Sequence, residues 1–174
     1  MNEKKGMLID VQFIKSKQEI NELIEALGMS QNGLRDQLLF KLDVSTGLRC
    51  GDLIALKVEQ VKGESNFNLM ADIADYIETL PTDAVYLFPS RKGDGHITTT
   101  QAYRIIASAG DMIGNHSIGT HTMRKTLGYT YYQATKDIAT LMEIFNHSSQ
   151  KTTLRYMGIT KEAIENSIKS VSFF

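Results

Sequence analysis

Cysteine, proline and tryptophan are scarce in these 174 residues: Cys50 stands alone, Pro81 and Pro89 are the only prolines, and tryptophan is absent. A single thiol cannot close an internal disulfide. No Cys cluster or HExxH-type spacing offers a metal site, so chemistry without a metal or cofactor is expected. Long apolar runs are missing too. No stretch approaches a membrane span, and the charged, acid-containing start Met1-Asn2-Glu3-Lys4-Lys5 lacks a signal-peptide core. A cytoplasmic location with no membrane partner is expected. Charge of either sign is hardly in excess, at a net −1, which speaks against a uniformly basic nucleic-acid binder.

What is present suits a folded domain. The 42% apolar and 22% charged residues exclude disordered and fibrous classes. The length is enough for one well-buried domain and too little for two of ordinary size, so residues 1–174 are read as a single domain. Charge is unevenly spread: residues 88–161 carry nine Lys or Arg against four Asp or Glu, a net +5, and the remainder is −6. A local phosphate-binding face fits this distribution, as does an uneven solvated surface.

Periodicity predicts a mostly helical chain with a small β element. Ser16-Lys17-Gln18-Glu19 fits a capping box, followed by Ile20, Leu23, Ile24 and Leu27 at helical spacing up to Gly28. A second helix is expected from Asn32 to before Thr46-Gly47, a short one over residues 48–56, and a strand over Val58–Val61. Further helices are expected over residues 69–80 and 98–109, the latter with Tyr103 and Ile106 inward. The apolar run Val85-Tyr86-Leu87-Phe88 between them ends at Pro89 and a turn-rich segment. The remaining helices are expected over residues 120–134, 136–145 and 151–157, with a tail helix over residues 160–170.

The residues with chemical potential cluster late in the chain. His121 and Arg124 lie three apart, so both leave the same face of a helix. His147 sits in an Asn-His-Ser-Ser turn, and Tyr156 follows nine residues later. Arg49, far upstream in Thr46-Gly47-Leu48-Arg49, completes the set. Each has a structural explanation: a satisfied core histidine, a salt-bridged arginine, a packing tyrosine. Tyr129, Tyr131 and Tyr132 are read as packing residues, and His96 and His116 as loop residues.

In order and spacing, the five together resemble the catalytic domain of the tyrosine recombinases, the phage and transposon integrase family, from about Ser16 to Phe174. By that resemblance Arg49 is the family's first arginine, His121 and Arg124 its H-x-x-R motif, His147 its second histidine and Tyr156 its nucleophile. Asp52 falls where the family commonly keeps an acidic residue in a structural role. The usual Leu-Gly before the second histidine is replaced by Phe145-Asn146. The resemblance implies site-specific DNA recombination through a 3′-phosphotyrosine, on double-stranded DNA, by a homo-oligomer whose tail helix (residues 160–174) docks in trans. The residue types suit the chemistry independently. Guanidinium forks match charge developing on a phosphate, and histidines can move the proton of a phenol whose ordinary pKa is about 10.

Two family features are missing from the sequence. One is the lysine on a β-hairpin turn that serves as general acid to the leaving 5′-oxygen, since a hairpin needs roughly a dozen residues and only residues 62–68 lie between Val61 and Leu69. Either the residues in hand omit a mobile hairpin tip between about Lys62 and Asn68, the account we favour, or the hairpin is lost and cleavage is severely slowed. Lys62 and Lys92 are the candidate substitutes. The other is the N-terminal helical domain that completes a clamp on DNA, without which affinity should be weak and salt-dependent. A catalytically disabled DNA-binding or assembly module is therefore the alternative reading. A helical protein with no DNA role would require the pattern to be coincidence.

Overall fold

The computed structural model describes residues 13–14, 16–62 and 69–159. Among these the chain forms helices α1 (Lys17–Gly28), α2 (Gly33–Thr46), α3 (Cys50–Ile54), α4 (Val58–Val61), α5 (Met70–Glu78), α6 (Thr99–Met112), α7 (Thr120–Thr135), α8 (Ile138–Phe145) and α9 (Gln150–Tyr156). The expected tail helix lies outside the described residues. Antiparallel structure among the described residues is confined to single bridges, Lys57 with Tyr86 and Pro89 with His96.

Helix α2 is the central element, packing against α1, α7, α3 and α5. Its apolar residues point two ways. Leu38, Leu39 and Leu42 enter a cluster with Leu53, Ile54, Ile73, Leu87 and Phe88. Phe40 enters a second one with Leu23, Leu27, Ile106 and Met123. Burial on two sides spreads the apolar residues of α2 over a wide arc and leaves Leu34 and Ser45 among its exposed positions. A third, smaller cluster joins α8 and α9 through Leu141, Phe145 and Met157.

The termini of the elements follow their side chains. Ser16 Oγ accepts from the Glu19 amide at 3.1 Å and starts α1. The Glu19 carboxylate binds Asn115, tying α1 to the loop before α7. Gly47 ends α2 in the left-handed region with φ 64°, where a side chain would be strained and would also strike Leu127.

Three expectations are corrected. Val58–Val61 is a helical turn rather than a strand. Val58 and Val61, three apart, are both buried while Glu59 and Gln60 are exposed, and the Gln60 carboxamide accepts from the Lys57 amide at 2.8 Å. Tyr103 faces outward at 44% exposure, because Ala102, Ile106 and Ala109 already fill the inner face of α6. Finally, the sequence passes directly from Lys62 through residues 63–68 to Leu69, so no omitted hairpin tip lies between them. The short connection is a property of the chain itself.

Candidate active site

Helices α3, α6, α7, α8 and α9 and two turns converge on one cavity of about 420 Å³, lined by Arg49, Cys50, Thr99, His121, Arg124, Phe145, His147 and Tyr156 among others. All five residues singled out by spacing are here. Lys62 and Lys92 are not; both are exposed, at the end of α4 and in the 90–95 turn. Asp52 is exposed on α3.

Arg49 immediately precedes α3, with extended backbone (φ −69°, ψ 144°), and its side chain is exposed at the rim. The α2-ending turn at Gly47 brings it there. His121 and Arg124 lie on the first turns of α7, His121 exposed and Arg124 only 8% exposed. The buried threonines of α7 secure that end of the helix. Thr122 Oγ1 accepts from the Gly119 amide at 3.0 Å, and Thr126 Oγ1 donates to the Thr122 carbonyl and accepts from the Ile14 amide. Arg124 donates to the Ile144 carbonyl at 3.3 Å and lies over the Phe145 ring, 4.9 Å from its centroid. Its guanidinium is thereby anchored from one side.

The turn between α8 and α9 sets His147. Asn146 adopts the left-handed conformation (φ 54°), its amide donating to the Glu143 carbonyl and that of His147 to the Met142 carbonyl at 2.8 Å. This is a Schellman arrangement, and asparagine is the next best residue after glycine at its left-handed position. Asn146 thus takes the left-handed position that glycine favours. Ser149 then caps α9 by accepting from the Thr152 amide.

Phe145, marked in the sequence only as part of the Phe145-Asn146 departure, is the hub. Buried to 1%, it packs at 5.2 Å from the Tyr156 ring and 5.6 Å from the His147 ring, and those two rings meet edge-on at 5.4 Å. Gly128 makes room for it: a Cβ there would lie 2.7 Å from the Phe145 ring. Lys125 Nζ lies 6.0 Å from the centroid of the Tyr156 ring. Neither Phe145 nor Gly128 belongs to a spacing that a single sequence makes legible.

Electrostatics keep the nucleophile candidate neutral at rest. Burial raises the Tyr156 phenol above its ordinary pKa, outweighing the pull of Arg124. His147 is held below the usual histidine value by burial and by the Arg124 and Arg49 guanidiniums. Burial lowers Arg124, partly offset by Tyr156. Beneath the site is a second residue missed in the sequence, Asp43 of α2. It is 3% exposed, its Oδ1 has no hydrogen-bond partner, and burial pushes its carboxyl up to about 7 despite Arg124. The Cys50 thiol is pushed up to about 11, first by burial and then by Asp43, which leaves it a poor nucleophile.

A tyrosine among two arginines and two histidines, carried on a helical domain, defines a class of protein suited to a phosphate group. The description "Phage integrase family" belongs to the family model that matches residues 62–163. The probable integrase/recombinase YoeC of Bacillus subtilis is 35% identical over 176 residues, covering 91% of this chain and 96% of that protein. Tyrosine recombinase XerA of Pyrococcus furiosus is 26% identical, covering 86% of this chain and 60% of that protein. Among solved structures, XerA recombinase gives a TM-score of 0.71 at 20% identity, covering 94% of this chain and 66% of that one. XerH site-specific recombinase in a post-cleavage complex gives 0.68 at 21% identity, covering 90% and 52%. The chain belongs to the phage integrase family, the tyrosine recombinases. It spans nearly all of YoeC but about half to two thirds of the XerA and XerH chains.

Proposed function

We propose that this chain cleaves and rejoins double-stranded DNA at a specific site through a 3′-phosphotyrosine on Tyr156. The observation that carries the reading is the single cavity shared by Arg49, His121, Arg124, His147 and Tyr156. In the first step the Tyr156 oxygen attacks phosphorus, the new O–P bond forms and the bond to the 5′-oxygen breaks. The phenol proton passes to a histidine, and the leaving oxygen takes a proton from water at the exposed rim. Arg49 and Arg124 donate to the non-bridging oxygens, where negative charge grows. The phosphotyrosine conserves the energy of the broken bond, so a 5′-hydroxyl reverses the step without ATP.

The XerH relative in the post-cleavage complex is bound to its difH substrate, which supports DNA as the partner here. We further propose that the chain works in the cytoplasm as a homo-oligomer on DNA, with residues 160–174 docking on a neighbouring protomer. Ile164, Ile168 and Phe173-Phe174 are the apolar side chains that the sequence offers for such a contact. The described residues contain no helix long and apolar enough to cross a membrane.

The test is covalent trapping on a nicked suicide substrate built from DNA flanking the gene. A protein–DNA adduct with the wild-type chain that vanishes in Tyr156→Phe is expected; no adduct with the wild type would sink the reading. The short connection over residues 62–69, with no room for a lysine hairpin, favours one second reading, a DNA-binding or assembly module without cleavage. Specific binding and no adduct on the same DNA would establish it.

A further inference from the structure

Helix α2 buries two acids and provides for them differently. Asp36 accepts from the Ser30 hydroxyl at 2.6 Å and from Arg35 Nε at 2.8 Å, and pairs with the Arg35 guanidinium. Asp43, two turns further on, is 3% exposed and its Oδ1 has no hydrogen-bond partner. A buried carboxylate without partners is costly, so the group keeps its proton up to about pH 7. Packing sets its position. Gly47, one turn beyond Asp43, lies so close to α8 that a Cβ there would sit 3.2 Å from Ile144 and 3.7 Å from Phe145. Those two residues also hold Arg124, which donates to the Ile144 carbonyl and lies over the Phe145 ring. Arg124 lines the cavity and the buried Asp43 does not, so the acid lies behind the guanidinium.

Three elements supply the charges around Asp43. Arg124 of α7 attracts its ionised form, while Cys50 of α3 and Tyr156 of α9 are both made harder to ionise by it. Among the described residues, no titratable side chain of α1, α5 or α6 acts on it. Arg124 therefore faces negative charge from two directions: Asp43 from within and, in the proposed reaction, a phosphate from the cavity. Its bond to the Ile144 carbonyl, at 3.3 Å, is long and holds it weakly. We propose that Asp43 is a positioning residue that acts through Arg124: as a neutral acid it leaves the guanidinium to an anion in the cavity, and as a carboxylate it draws the guanidinium inward. That the anion is a DNA phosphate rests on the proposed cleavage; the coupling of Asp43 to Arg124 does not. Below about pH 7 the acid is neutral and Arg124 is available. Above it, an anion can engage Arg124 fully only if Asp43 takes a proton from water, so binding weakens as pH rises. The carboxylate also opposes a phenolate on Tyr156, which acts in the same direction.

Two measurements test this separately. In the free chain, carbon-13 NMR of labelled aspartates follows the assigned Asp43 carboxyl through its titration without any activity. Sulfate, a phosphate-shaped anion of constant charge, is the probe, against chloride at equal ionic strength. Sulfate should raise the wild-type Asp43 midpoint by about 0.7 pH unit, a fivefold coupling, and leave it in place in Arg124→Gln. A wild-type midpoint that ignores sulfate, or one that moves equally in Arg124→Gln, overturns the proposal. On the nicked suicide substrate, adduct rates are followed from about pH 6 to about pH 8.5 in wild type and in Asp43→Asn, which cannot ionise. His121 and His147 are common to both chains, so the difference between the profiles isolates Asp43. Over this range the wild-type rate should fall about fivefold more than that of Asp43→Asn. Parallel profiles overturn the role in the reaction. Asp43→Leu, neutral and of similar volume, serves for the same comparison if the amide variant does not fold. If wild type forms no adduct at any pH while sulfate moves Asp43 as expected, the cleavage reading fails and the coupling of Asp43 to Arg124 stands.

Discussion

At the scale of single residues, the site combines groups whose surroundings pull in opposite directions. Asp43 is the clearest case. Its carboxyl has a folded value of about 7 against 3.8 in a model peptide, so between about pH 4 and 7 the folded chain keeps a proton that the unfolded chain releases. Stability therefore falls as pH rises through that window and levels off above it, by up to ~4 kcal/mol from a three-unit shift. Asp43→Asn cannot ionise. Its melting temperature relative to wild type should rise more at pH 8 than at pH 5, as thermal unfolding at the two pH values would reveal. Asp43 was illegible in the sequence because spacing does not distinguish it from Asp36, the other acid of α2. Its burial comes only from α2 being enclosed on several sides.

At the scale of elements, two local devices hold the side chains of the candidate site. The first is the left-handed turn at Asn146. Asn146→Gly should preserve stability, whereas Asn146→Ala should lose about 1 kcal/mol in urea unfolding, because an alanine has no side-chain compensation for a positive φ. The second is the close approach of α7 to Phe145 at Gly128. Gly128→Ala would set a methyl 2.7 Å from the ring, costing roughly 1–3 kcal/mol and displacing Phe145 from Tyr156, His147 and Arg124. Denaturation midpoints and adduct rates should both fall in this variant. If the adduct rate held while stability dropped, Phe145 would be only a core residue. Most helices were legible at this scale, since their apolar period and their caps at Ser16, Gly47 and Ser149 agree. The turn Val58–Val61 was not. Four residues are too few to display a period, and β-branched valines at both ends suggest a strand; contacts with the segment around Val85 and Leu87 decide it.

At the scale of the whole molecule, the charge distribution matters more than its sum. The net charge is −1, yet Arg49 and Arg124 sit on one cavity that His121 also borders. DNA binding should therefore be weak and steeply salt-dependent, with log K falling against log salt by about 0.9 for each phosphate contact. Fluorescence anisotropy across a salt series should show Arg49→Ala reducing that slope by about one. A slope unchanged by Arg49→Ala would remove Arg49 from phosphate contact.

The sequence by itself determined the helical periods, the family pattern and the five residues that meet in the cavity, because spacing along a helix and the choice of chemically capable side chains are local properties. Only the tertiary structure decided what surrounds them. That Phe145 joins three of them, that Gly128 must be bare, and that Asp43 is sealed beneath Arg124 all depend on contacts between separate elements. Such contacts follow from how helices pack, and no spacing along the chain records them.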